Sequence, residues 1–203
     1  MAHFIAYQPV NMNKLPGLSA PNTFSPSILL QTPQEVKIEY GNFIFDFKSL
    51  PSHRFTFDVH HHLTGGVVGS FEMDTTTSGS SPLYRFTGLD IPVSELASHD
   101  AHILLAGNDT ITGSHGNDVL IGGPDNNTFV FTKPFGHDVI ANFSVNDKIR
   151  ISHTIFANFE AVQDAAHVDA HHHVVITVDA SDTITLNTVH HVSDLTASEF
   201  LFI

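Results

Sequence analysis

The sequence predicts an all-β protein. Apolar and polar residues alternate through most of the chain, only one stretch carries helical periodicity, and residues 98–129 contain a glycine-punctuated nine-residue repeat.

Residues 1–35 hold Pro9, Pro16, Pro21, Pro26 and Pro33 with little regular pattern, and read as an extended N-terminal arm. Residues 36–97 read as a small antiparallel β unit. There VKIEY, NFIFDF and RFTFDVH alternate as half-buried strands do, and GGVVGSFEMD continues after a Gly-Gly turn. TTTSGSSP is expected as a loop, LYRFTGLDIPV as a strand pair and VSELASHD as a short helix or turn.

From residue 98 the repeat sets the register. Asp109, Asp118 and Asn127 align, as do Gly107, Gly116 and Asp125, and Ile111, Leu120 and Phe129. Ser98 and Asp100 extend it by one weaker turn upstream. FVF, FGHDVIANF and DKIRIS then read as short strands. FANFEAVQDAAHV reads as an amphipathic helix with Phe156, Phe159, Val162 and Ala166 near one face. HHVVITV, DTITLNTV and SEFLFI close the chain as strands.

Composition narrows the function. The chain has 203 residues, with 8 Lys and Arg against 21 Asp and Glu, a formal charge of -13. Eight scattered cations make no basic patch, so no nucleic-acid partner is expected; the balance suits a cation-binding or secreted acidic protein. Cysteine is absent, which excludes disulfides, thiol chemistry and Cys-ligated zinc. No apolar run approaches the roughly 20 residues of a membrane span. No cleavable signal is visible in MAHFIAYQPVNMNK.

Catalytic signatures are missing. There is no His-Glu-x-x-His, no Gly-x-Ser-x-Gly and no glycine-rich phosphate loop. Asp46, Asp58, Glu72 and Asp74 offer carboxylates for acid–base work, but solvated strand edges are the expected reading. A non-enzymatic role is favoured, with a metalloenzyme built on the histidines as the alternative.

The repeat has its own chemistry. Six residues make a turn and three a short strand whose apolar side chain points inward. Glycine permits positive φ and exposes backbone carbonyls, and the Asp adds a carboxylate. Carbonyls and carboxylates suit Ca²⁺, which takes six to eight oxygens at roughly 2.3–2.6 Å.

The residues AGNDTITGSHGNDVLIGGPDNNTFVF resemble the RTX, or haemolysin-type calcium-binding, repeat of consensus G-G-x-G-x-D-x-U-x. The turn GSHGNDVLI matches at Gly113, Gly116, Asp118 and Leu120. LLAGNDTIT lacks both opening glycines but keeps Gly107, Asp109 and Ile111. GGPDNNTFV keeps Gly122, Gly123 and Phe129 but has Asp125 for Gly and Asn127 for Asp. FGHDVIANFSVNDKIRIS and VVITVDASDTITLNTVHHVSDLTASEFLF are similar to the closing segment of RTX-bearing secreted proteases, lipases and epimerases. The resemblance covers residues 98–203 and implies a short parallel β-roll with a C-terminal β cap.

It also implies one or two Ca²⁺ ions, because alternate turns share an ion in that family. Site 1 takes carbonyls of Leu105, Gly107, Gly122 and Pro124 with the side chains of Asp109 and Asn127. Asn127 brings a neutral amide in place of a carboxylate, which weakens that site. Site 2 takes Ser114, Gly116 and Asp118, its partner turn being either the one at Asp100 or the segment around Gly136 and Asp138. The alternative is a calcium-free roll packed through Ile111, Leu120 and Phe129.

Proteins of this family leave Gram-negative bacteria through the type I apparatus by an uncleaved C-terminal signal, for which Glu199-Phe200-Leu201-Phe202-Ile203 is the candidate. The resemblance thus implies an extracellular protein that folds on meeting calcium outside the cell, with an unknown extracellular ligand for the N-terminal unit. The plain alternative for EFLFI is a last strand.

Histidine, at 16 residues, forms clusters at His60–His62, His171–His173 and His190–His191. On a strand His60 with His62, or His171 with His173, share a face and can chelate a transition metal; a solvated polar surface is the other reading. Haem is a further alternative. FTGLDIPVSELASHDAHILL is similar to a segment of type I-secreted haem carriers, with Tyr7, Tyr40 and Tyr84 as the available tyrosines.

Overall fold

Alternating segments become strands in both parts of the chain. The computed structural model describes residues 1–8, 10–12, 27–40, 42–59, 63–75, 83–96 and 105–203. The chain divides into two units, Met1–Phe4 with Pro16–Leu105, and Ile5–Leu15 with Ala106–Ile203.

The described elements of the first part are β1 (His3–Ala6), β2 (Ser27–Gln31), β3 (Glu35–Tyr40), β4 (Phe43–Ser49), β5 (Thr56–Phe57), β6 (Leu63–Gly65), β7 (Val67–Thr75), β8 (Tyr84–Pro92) and α1 (Val93–Leu96). In the first unit β2, β3, β4, β7 and β8 form an antiparallel meander. Strand alternation separates its faces. One buries Phe45, Phe47, Phe71, Met73, Tyr84 and Phe86, with Phe47 stacked on Phe71 at 4.9 Å and Phe4 against Phe86 at 4.8 Å. Each such ring buried contributes on the order of 2 kcal/mol.

Two expectations change here. Residues 27–31, assigned to the arm, form β2 because SILLQ pairs with β3. LYRFTGLDIPV forms one strand and not two. Its Gly88, at φ +71°, absorbs the register shift between β7 and β8, and a Cβ there would stand 2.7 Å from the Met1 carbonyl oxygen.

The second unit holds β9 (Thr110–Thr112), β10 (Val119–Leu120), β11 (Thr128–Phe131), β12 (His137–Ile140), β13 (Lys148–Ile151), α2 (Phe159–Ala165), β14 (Ala166–Val168), β15 (Val174–Thr177), β16 (Thr183–Leu186) and β17 (Phe200–Phe202). β9, β11, β13 and β17 pair in parallel, as do β10, β12 and β16. Successive strands from β9 to β13 alternate between these two ladders, so the chain coils as a parallel roll. β15 and β14 add antiparallel strands beside β16. The apolar column of the repeat fills the interior, where Ile111, Leu120, Phe129, Ile140, Ile149 and Ile184 have no exposed surface.

The one amphipathic helix is shorter than its periodicity predicts. Asn158 caps α2 by accepting from the Ala161 amide at 3.0 Å, and Val162 is buried beneath it. The segment AHV leaves the helix and becomes β14, because Val168 there pairs with Val174 of β15.

Candidate metal centre

The acidic column of the repeat lies inside the roll. Asp109, Asp118, Asn127, Asp147 and Asp182 each stand immediately before a strand, and Asp138 is the second residue of β12. All six are at most 2 % exposed. Burying so many polar groups demands partners.

The first oxygen of most of them is satisfied by the coil before. The Asp109 amide donates to Asn127 Oδ1 at 3.0 Å, Asn127 to Asp147 Oδ1 at 2.8 Å, and Asp118 to Asp138 Oδ1 at 2.8 Å. The spacing is 18 residues for the first of these and 20 for the other two. At Asp118 the donor among the described residues comes from the N-terminal segment. Val10 supplies it, its amide donating to Asp118 Oδ1 at 2.5 Å while its carbonyl accepts from Val119 at 2.7 Å.

The second oxygens differ. Asp118 Oδ2 accepts from the Ser114 amide at 2.6 Å and hydroxyl at 3.0 Å, and Asp147 Oδ2 accepts from the Ser144 amide at 2.8 Å. Asp138 Oδ2 is buried with no hydrogen-bond partner. The sequence explains why. Four residues before Asp118 stands Ser114, but four before Asp138 stands Pro134, which has no N–H. The next two amides, of Phe135 and Gly136, both donate to Asp182 Oδ1, at 2.6 and 2.9 Å.

Asp138 Oδ2 and Asp118 Oδ2 converge on Gly113. A Cβ on Gly113 would stand 2.8 Å from Asp118 Oδ2 and 3.3 Å from Asp138 Oδ2, so the glycine keeps this space open. A cavity of about 70 Å³ adjoins it, lined by Gly113, Ser114, His115, Phe135 and Asp138 among others. Burial pushes the Asp138 carboxyl up to about 8; the charges of Asp118 and Asp182 add to this and the Asp118 amide opposes it. Burial also raises Asp118, against the donors from Val10 and Ser114. Two converging carboxylates, one with an oxygen that has no hydrogen-bond donor, fit a hard divalent cation.

A family model of the RTX calcium-binding nonapeptide repeat, four copies long, matches residues 105–129. Residues 105–129 thus carry an RTX-type calcium-binding repeat. No curated protein matches the chain.

The sequence-assigned residues divide clearly in the RTX roll. The turn holding Ser114, Gly116 and Asp118 stacks on the turn holding Gly136 and Asp138: a Cβ on Gly136 would come within 2.7 Å of the Gly116 carbonyl carbon, and the His137 amide donates to Asn117 Oδ1 at 2.9 Å. Asp100, the other partner considered, lies outside the described residues. For site 1 the structure brings together the turns carrying Leu105, Gly107 and Asp109 and carrying Gly122, Pro124 and Asn127. Their cross-links are Gly107 N–H to Asp125 Oδ2 at 3.0 Å and Asn126 N–H to Asn108 Oδ1 at 3.1 Å.

His60 and His62 lie outside the described residues. His171 and His173 are in a turn and not on a strand, so the shared-face argument does not apply to them. Asp169 Oδ1 accepts both their amides, at 2.8 and 2.9 Å, and His172 between them has φ +64°. Their ring centroids are 6.1 Å apart. Among the described residues no three or more His, Asp or Glu side chains form a metal-binding group by arrangement alone. Of the tyrosines, Tyr84 is buried with its hydroxyl on Met73 Sδ at 3.0 Å, Tyr7 is exposed, and the Tyr40 side chain is outside the described set.

Within EFLFI, Phe200–Phe202 form β17, parallel to β13, while Glu199 ends the preceding 3-10 turn, buried and completing a capping box with Thr196. In the first unit, Asp46 lies 3.3 Å from Lys37 and 3.6 Å from Lys48, and Glu72 binds Arg85 at 2.6 Å. These carboxylates are ion-paired on a strand face, beside a groove of about 290 Å³ that Ser70 and Thr87 also line.

Sequence reasoning missed Asp147, Asp182 and Lys133, whose ammonium reaches Asp179 and lies 3.7 Å from Asp182. A signal existed. DKIRIS and DTITL repeat the acid-then-alternating-strand pattern of NDVLI, at spacings too long for a nonapeptide search.

Proposed function

We propose that the roll takes Ca²⁺ between the turns of Ser114–Asp118 and Pro134–Asp138, and that this binding drives folding after export. Asp118 and Asp138 supply carboxylates, with backbone carbonyls of Ser114 and Gly116 as further ligands. The carrying observation is the buried, donor-less Asp138 Oδ2 facing Asp118 Oδ2 across Gly113. A bound Ca²⁺ supplies two positive charges where the fold otherwise confines two negative ones. Without that charge, Asp138 must take up a proton or repel Asp118, and the stacked turns loosen.

The acidic balance and the absence of cysteine support type I export of a chain kept loose at low cytosolic calcium. The sheet of the first unit is proposed to carry the binding role toward an extracellular ligand. Its Lys48–Glu72–Arg85 groove supports this.

The test is calcium titration by calorimetry with thermal melts in millimolar calcium and in chelator. One ion per chain and a melting temperature higher in calcium are expected. In Asp138→Asn both the heat of binding and the calcium-dependent shift disappear. A wild-type protein indifferent to calcium overturns the reading.

A further inference from the structure

Asn127 and Asp138 occupy matching places in successive coils, each taking the amide of an aspartate one coil earlier on its Oδ1, at 3.0 and 2.8 Å. They differ in the other terminal atom. Asp138 offers a bare oxygen there. Asn127 offers Nδ2, which turns into its own loop and donates to the Asp125 carbonyl at 2.8 Å, with the Gly123 carbonyl at 3.5 Å. The opposite amide assignment would set an NH₂ against the Asp109 N–H, so the bonds fix which atom is nitrogen.

We infer that the Asn127 amide does on its side of the roll what calcium does on the other: the turns of Asp109 and Asn127 are closed by an internal donor, and only the Asp118–Asp138 side takes an ion. This rests on the calcium reading above. An amide nitrogen has hydrogens and no lone pair for a cation, so the second ligand atom expected of site 1 is absent. Its hydrogens are turned to the Asp125 and Gly123 carbonyls of its own turn. The same turns are cross-linked without an ion by Asp125 Oδ2 with Gly107 and by Asn108 Oδ1 with Asn126. Gly122 leaves room for this arrangement, since a Cβ there would stand 2.8 Å from Asn127 Nδ2.

Lys133 provides a parallel on the other ladder, where its ammonium lies 3.7 Å from Asp182 Oδ2. The roll thus answers two such positions with nitrogen from its own side chains and leaves Asp138 Oδ2 to the metal. Half of it keeps its shape at any calcium level, and the other half responds.

The test is Asn127→Asp, read by calcium stoichiometry and by melting. The substitution restores an oxygen and removes the donor. Stoichiometry is expected to rise from one to two, with the melting temperature below wild type in chelator and its calcium-dependent shift larger than wild type's. Asn127→Ala, which removes the donor without adding a ligand, is expected to lower the melting temperature equally with and without calcium and to keep one ion. Two ions on the wild-type protein overturn the inference, and so does an Asn127→Asp protein that still takes one. A wild type taking none while Asn127→Asp takes one overturns the Asp118–Asp138 reading and leaves the role of the amide standing.

Discussion

The amide of Asp118 donates to Oδ1 of Asp138 at 2.8 Å across a twenty-residue coil, and the other carboxylate oxygen of Asp138 comes to the same place beside Gly113 as Asp118 Oδ2. The two turns therefore stack where negative charge is concentrated between them. Under the proposed calcium site, stability and cation affinity are coupled at this place, and each of the following changes is expected to alter both.

The first concerns pH. In the calcium-free fold Asp138 keeps its proton up to about pH 8, whereas an unfolded aspartate releases it near about pH 3.9. Between these values the folded chain binds one proton more than the unfolded chain, so its stability falls as pH rises, by at most about 1.4 kcal/mol per unit. Melting in chelator is expected to show wild type losing stability relative to Asp138→Asn from pH 5 to pH 8. In millimolar calcium the trend of wild type reverses, because the ion requires the deprotonated carboxylate. A difference between the two proteins that stays flat with pH in chelator counts against the assignment.

The second concerns Gly113. Its backbone φ is outside the left-handed region, so alanine is conformationally acceptable there. The added methyl is not, lying 2.8 Å from Asp118 Oδ2. Gly113→Ala is expected to weaken calcium at least tenfold in titration, with an additional loss of about 1–3 kcal/mol in denaturant melts from the displaced carboxylate. Unchanged calcium affinity in this variant would place the ion elsewhere.

The third concerns the N-terminal segment. Val10→Pro removes the N–H that reaches Asp118 Oδ1 at 2.5 Å and leaves the Val10 carbonyl for Val119. A buried carboxylate losing one donor costs about 1–3 kcal/mol. Urea unfolding of the full chain is expected to show that loss, and an unchanged unfolding free energy counts against the Val10–Asp118 bond.

Much of this was legible in the residues. The period of nine put Asp109, Asp118 and Asn127 in one column and Ile111, Leu120 and Phe129 in another, and both columns are buried together in the roll. Such information is local: a turn of glycines, an acid and an inward apolar residue recur within one short window, so the pattern announces itself. Asn127 was also visible as the exception within its column.

What the tertiary structure alone decided is which turn meets which. The coil lengthens from 18 to 20 residues after the repeats, so the partner of Asp118 is Asp138 and that of Asn127 is Asp147. Pro134 matters only because Asp182, from far along the chain, takes the two amides that follow it and leaves Asp138 Oδ2 bare. Val10 completes a column 108 residues away. The sequence determined the kind of coil and the chemistry of its ligands, since both follow from short-range periodicity. That Asp138 Oδ2 is left without a donor depends on hydrogen bonds between distant segments, and no local pattern encodes how such donors are shared.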